Sequence, residues 1–101
     1  MRVLILLNPT NKRGTKTAYT KFKNILLEKG FIKEQEQLYV KVLTERKLAQ
    51  RLVDGLKEFV PDTGTIRVLL LTEKQFDKIV YLTGTKSYQE QRIGALDSIF
   101  L

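Results

Sequence analysis

The sequence predicts a small α+β domain whose elements run β-α-β-β-α-β. Three observations carry that reading. Apolar runs of strand length alternate with stretches in which apolar residues recur every three or four positions. Glycine, proline and asparagine fall between those stretches rather than inside them. At 101 residues, 43% of them hydrophobic, the chain has enough apolar material for one core and too little length for two.

Residues 2–7 open the order as a strand, and the unbroken run from Val3 to Leu7 suits burial on both faces. Asn8, Pro9, Thr10 and Asn11 end it, because proline brings no donor and asparagine favours turns. Residues 15–29 read as a helix with Ala18, Phe22, Ile25, Leu26 and Lys29 on one face and Gly30 as its stop. Residues 31–35 and 38–43 form two strands joined by a tight turn at Glu36-Gln37, with Leu38, Val40 and Val42 alternating with Tyr39 and Lys41. A second helix follows, with Thr44 as N-cap and Leu48, Leu52, Leu56 and Phe59 as its apolar face, until Pro61, Asp62 and Gly64 break it. Residues 65–71 complete the order, 72–76 make a single helical turn, and 79–82 make a short extra strand ended by Gly84. This is the split βαβ of the ferredoxin-like fold, spanning residues 1–84. Residues 85–101 form a C-terminal tail or strand, polar to 92 and then apolar through Ile93, Leu96, Ile99, Phe100 and Leu101, which need a cover.

The composition excludes several chemistries. With no cysteine and no histidine, there is no disulfide, no thiolate metal site, no cysteine nucleophile and no imidazole base. Hydrolysis would have to rest on carboxylates and a hard cation. The apolar runs at 3–7 and 68–71 are too short for a membrane span, and no signal sequence is visible, so the protein reads as cytoplasmic and off the membrane. Net charge is +7, and residues 1–33 hold eight basic residues against one acid, Glu28, while residues 34–101 hold ten of each sign. The whole excess therefore lies at the amino end, a field suited to polyanions; a merely solvated surface is the plain alternative. Base stacking of the RNA-recognition kind finds little support, since the first strand has no aromatic and Phe31 and Tyr39 read as core.

Four blocks, in order, resemble the CRISPR-associated Cas two family. They are the opening strand Met1 to Thr10, the helix stretch Ala18-Tyr19-Thr20-Lys21-Phe22-Lys23 closing on Gly30-Phe31, the stretch with Ile32, Gln35, Leu38-Tyr39 and Leu43, and the run from Gly64 through Leu71 into Thr72-Glu73-Lys74-Gln75-Phe76. The last is the most specific and is similar to members from type II systems. The resemblance implies a symmetric homodimer with an extra C-terminal strand, bridging copies of the integrase Cas one, with captured double-stranded DNA lying along it during spacer acquisition. It also implies the family's alternative activity, a Mg²⁺-dependent endoribonuclease. A stand-alone ribonuclease toxin is a reading from a different class.

Two departures from the family pattern bear on chemistry. Asn8 stands where the family places a metal-binding aspartate, in a loop one residue shorter, and Gln37 stands where a serine is common. Mg²⁺ is held by carboxylates; Asn8 offers a neutral carbonyl, residues 1–27 contain no acid, and Asp54 is the first aspartate. The expectation is therefore no catalytic residue and no metal, with Asn8 the position if there is one. Binding needs only cations: Lys12, Arg13, Lys16, Lys21 and Lys23 are the expected nucleic-acid contacts, with Lys12, Lys16 and Lys23 on one arc if the helix begins by Lys12, and Arg13 and Lys21 flanking it. Ile93, Leu96, Ile99, Phe100 and Leu101 are the expected partner-binding residues.

Overall fold

The computed structural model describes residues 1–84; the tail and its five expected partner-binding residues lie outside the described residues. Strand β1, Arg2–Asn8, is the spine of the domain. It pairs antiparallel with β3 (Leu38–Val42) on one side and β4 (Thr65–Leu71) on the other, and β2 (Ile32–Gln35) adds beyond β3. The sheet order β2-β3-β1-β4 is that of the ferredoxin-like fold. Helix α1 spans Thr15–Glu28, α2 spans Arg46–Leu56 and runs into a 3₁₀ turn at Lys57–Phe59, and a short α3 covers Glu73–Asp77.

Alternation along β1 builds two cores. Val3, Ile5 and Leu7 meet Tyr39, Phe31 and the helix residues Tyr19, Phe22, Leu26, Ala49 and Leu56 in the main cluster. Leu4 points the other way and joins Val40 and Phe76 in a second cluster, flanked by Leu6, Leu38 and Leu71. Each large apolar side chain so buried contributes about 1.5–3 kcal/mol. The run from Val3 to Leu7 is apolar throughout because both of its faces are covered, one by the two long helices and one by α3.

The helices differ from the sequence expectation in their faces. α1 buries Thr15, Tyr19, Phe22 and Leu26, whereas Ala18 is only half-buried and Lys29 is exposed at the C-cap. α2 begins one residue later than expected: Glu45, not Thr44, is its N-cap, in extended geometry, and its carbonyl accepts the Ala49 N–H at 3.2 Å. Its inward stripe is Ala49, Leu52, Val53 and Leu56. Leu48 falls at the edge of that stripe and is exposed, and the 3₁₀ turn, with its tighter winding, swings Phe59 outward.

The expected strand at 79–82 does not form a ladder. The Lys78 and Ile79 N–H groups bond back to the Gln75 and Phe76 carbonyls at 3.2 and 3.1 Å. That turn carries the chain across the sheet face on which Phe76 sits, where Val80 and Tyr81 help line a shallow cleft of about 460 Å³ with Leu4, Leu38 and Val40.

Candidate nucleic-acid interface

The basic loop leaves β1 at Asn8, which is exposed and lies opposite Thr65 on β4. The chain must then turn sharply into α1. Gly14 does this at φ 84°, a left-handed conformation open to glycine and costly to other residues. The Thr15 N–H donates to the Lys12 carbonyl at 3.1 Å and the Ala18 N–H to the Gly14 carbonyl at 3.2 Å, closing the first turn.

A row of hydroxyls ties this loop to the α2–β4 connection. The Thr10 and Thr15 hydroxyls are 3.4 Å apart, and those of Thr15 and Thr63 are 2.8 Å apart. The Tyr19 hydroxyl donates to the Thr63 carbonyl at 2.7 Å. Burial of Tyr19 pushes its hydroxyl pKa up, so it stays a donor. Gly64, at φ 79°, packs so closely that a Cβ there would collide with the Tyr19 hydroxyl and the Asn8 carbonyl.

Lys12 and Arg13 stand exposed in the turn and Lys16 in the first turn of α1, which carries no acid. Three cations thus cluster at the positive end of a helix dipole. Lys21 is also exposed, but five residues on from Lys16 it is rotated roughly 140° around the helix. Lys23 shares the Lys16 face, yet it is half-buried with its ammonium 3.9 Å from Glu36. The condition for a single arc from Lys12 to Lys23 is not met, because α1 starts at Thr15 and Lys12 precedes it. Lys33 lies 3.0 Å from the other oxygen of Glu36. The hydrogen bond and charge of Lys33, with a smaller contribution from Lys23, hold the Glu36 carboxyl below its usual range.

The donor set at the end of β1 does not fit a divalent metal. Asn8 supplies one neutral amide where Mg²⁺ favours carboxylates, the loop that follows it carries Lys12 and Arg13, and among the described residues no three His, Cys, Asp or Glu side chains gather. Gln37 lies here too: its carbonyl accepts the Leu7 N–H at 2.9 Å, and its side-chain oxygen is buried without a hydrogen-bond partner among the described residues. Sequence reasoning also missed Thr15, Tyr19, Thr63 and Gly64. The available signal was weak: Thr15 and Tyr19 at helical spacing, and a Pro-Asp-Thr-Gly turn.

Residues 10–79 match the family described as CRISPR associated protein Cas2. A protein named CRISPR-associated endoribonuclease Cas2 from Streptococcus mutans serotype c (strain ATCC 700610 / UA159) is 37% identical over 85% of this chain and 80% of its own. Proteins of the same name from Ligilactobacillus salivarius (strain UCC118) and Acidovorax ebreus (strain TPSY) are each 33% identical, over 100% and 94% of both chains respectively. With the four-stranded sheet, the order of the motifs and these relatives in agreement, the chain belongs to the CRISPR-associated Cas2 family.

Proposed function

We propose that this chain is a structural, duplex-DNA-binding subunit of a CRISPR spacer-acquisition complex, working as a homodimer beside the integrase Cas one and without nuclease activity. The observation that carries the reading is the end of β1. Where a metal-dependent nuclease needs a carboxylate, the chain has Asn8, and the loop and helix start that follow carry the exposed Lys12, Arg13 and Lys16. Such a cluster grips phosphates without reading bases. The dimer is supported by β4, whose outer edge is unpaired among the described residues and whose Val68 and Leu69 are exposed. The tail residues Ile93, Leu96, Ile99, Phe100 and Leu101 are proposed to cover apolar surface on the dimer or on the integrase.

The second reading, a Mg²⁺-dependent endoribonuclease, is favoured by the name that the relatives carry. Both are tested by incubating purified protein with labelled RNA and a roughly 30-base-pair duplex, with and without Mg²⁺, across 50–200 mM salt. The scaffold reading expects intact nucleic acid and an affinity for duplex that falls steeply with salt. Reversing charge at Lys12, Arg13 and Lys16 together is expected to abolish binding. Metal-dependent cleavage that survives repurification, and is lost in Asn8→Ala, would establish the endoribonuclease instead.

A further inference from the structure

We infer that Thr63 and Gly64, in the connection between α2 and β4, are positioning residues for nucleic-acid binding: they clasp the basic loop in its binding-ready shape through the buried hydroxyl of Thr15. The inference rests on the DNA-binding reading above.

The case starts from Thr15, which is only 4% exposed although its side chain is polar. A buried hydroxyl is costly unless it is hydrogen-bonded. Here it is bonded on both sides, to Thr63 at 2.8 Å and to Thr10 at 3.4 Å. Thr10 in turn takes the Lys12 backbone N–H on the same oxygen at 3.4 Å. A continuous chain of polar contacts therefore runs from the backbone of Lys12 to Thr63, 51 residues along the sequence. Tyr19, one helical turn after Thr15 and 2% exposed, grips the Thr63 carbonyl and fixes the far end. Gly64 lets this connection lie against the Asn8 and Pro9 backbone, since any side chain there would meet Asn8, Pro9 and Tyr19.

The basic loop itself holds few internal restraints. Its left-handed Gly14 and the single bond from Thr15 to Lys12 shape the turn, but neither anchors it to the body of the domain. The hydroxyl chain does. A loop ordered before binding leaves less entropy to be lost when Lys12, Arg13 and Lys16 meet successive phosphates.

This gives the clasp a signature different from that of the charges. Removing a phosphate-contacting cation lowers both affinity and the slope of log affinity against log salt, by about one contact's worth. Loosening the clasp leaves every cation in place, so affinity falls at every salt concentration while the slope stays the same. Thr63→Val keeps the side-chain shape and removes the hydroxyl. It is expected to weaken duplex binding about fivefold to tenfold, with a parallel salt line and faster amide exchange at Lys12. Thr63→Ser is expected to restore both. Thr10→Val, at an exposed loop position, opens the other end of the chain and serves if Thr63→Val does not fold. Lys12→Ala is the comparison, with a reduced slope. Binding within twofold of wild type in folded Thr63→Val or Thr10→Val, or a slope that falls as in Lys12→Ala, overturns the clasp. If triple charge reversal of Lys12, Arg13 and Lys16 leaves binding unchanged, the DNA reading fails and the clasp with it. If that reversal abolishes binding while the threonine variants do not move it, only the clasp fails.

Discussion

The two edges of the sheet are built on opposite plans. β2 has four residues, and its pairing with β3 shifts register between Lys33 and Gln35. Lys33 and Glu34 within it, and Glu36 beyond it, put charge along that edge. Short length, irregular register and charge are the devices by which native sheets refuse another strand. β4 has seven residues in unbroken register with β1, and one charge, Arg67. Val68 stands opposite Ile5 and Leu69 opposite Leu4, so they face opposite sides of the sheet, at 40% and 48% exposure. Among the described residues β4 has no outer neighbour, and a long apolar edge strand is a template for pairing. One edge carries its own deterrents to pairing; the other lacks them and is the edge we propose for the dimer.

The largest test breaks that contrast directly. Lysine at both Val68 and Leu69 puts two charges into the proposed dimer seam. We expect the self-association constant to weaken at least about a hundredfold, read by sedimentation equilibrium, as for central apolar interface positions. Gln35→Lys, on β2, is expected to leave the mass unchanged. A wild-type chain that is monomeric at micromolar concentration, or a β4 variant as dimeric as wild type, refutes the proposed use of this edge.

The next largest effect concerns what holds the end of β4 in place. Immediately after it, Thr72 caps α3 in a reciprocal capping box with Gln75, at 2.9 and 3.1 Å. From α3, Glu73 takes the Arg2 Nε and Nη2 groups at 3.1–3.2 Å, and the Arg2 guanidinium stacks 4.2 Å from the centre of the Phe76 ring. Arg2 is almost wholly buried, and Glu73→Gln removes one carboxylate charge from beside it. Glu73 is partly exposed, so solvent moderates the loss, and we expect about 2 kcal/mol in urea unfolding. A loss under about 0.5 kcal/mol would mean that Phe76 packing and the Thr72–Gln75 capping box secure α3 without the Glu73 charge.

The same pair sets a pH dependence. Burial pushes the Glu73 carboxyl up, but the Arg2 hydrogen bonds and charge, with the nearby Met1 amino group, outweigh it and hold the carboxyl below its usual value. A carboxylate depressed in the folded state contributes stability that is fully present above the unfolded value of about 4.3. That stability is lost as pH falls from there through the folded pKa. Wild type is therefore expected to lose stability below about pH 4.5 more steeply than Glu73→Gln. Parallel curves between pH 3 and 6 would remove Glu73 from the account.

What was legible in the sequence follows the range over which each contact acts. β4 was read to the residue because apolar content and turn signals are local, and β1 was read as doubly buried because its run is unbroken. The α2 face was misjudged because Leu48 and Phe59 continue the apolar spacing while the helix gives way to a 3₁₀ turn at Lys57. The strand expected at 79–82 is apolar, but the turn after α3 decides its course. At the site, charge segregation exposed the basic loop. The Thr15–Thr63 contact spans 48 residues and leaves no periodic mark. Lys23 looked like one more free cation because Glu36 reaches it only through the β2–β3 turn.

That last contact yields the smallest effect, and it links the β2 edge to the proposed nucleic-acid face. Glu36 is exposed and bonded mainly to Lys33, so Glu36→Gln is expected to leave the melting temperature unchanged, as for most surface ion pairs. Its consequence should lie in binding. With Glu36 neutral, Lys23 loses the nearby charge that draws it from the face it shares with Lys16. Duplex affinity is then expected to rise about twofold to threefold at low salt, with a slightly steeper salt slope. Lys33→Ala, which leaves Glu36 charged and closer to Lys23 alone, should move affinity the other way. Should Glu36→Gln bind duplex no better than wild type, Lys23 lies off the DNA path, and the interface contracts to Lys12, Arg13 and Lys16 at the head of α1.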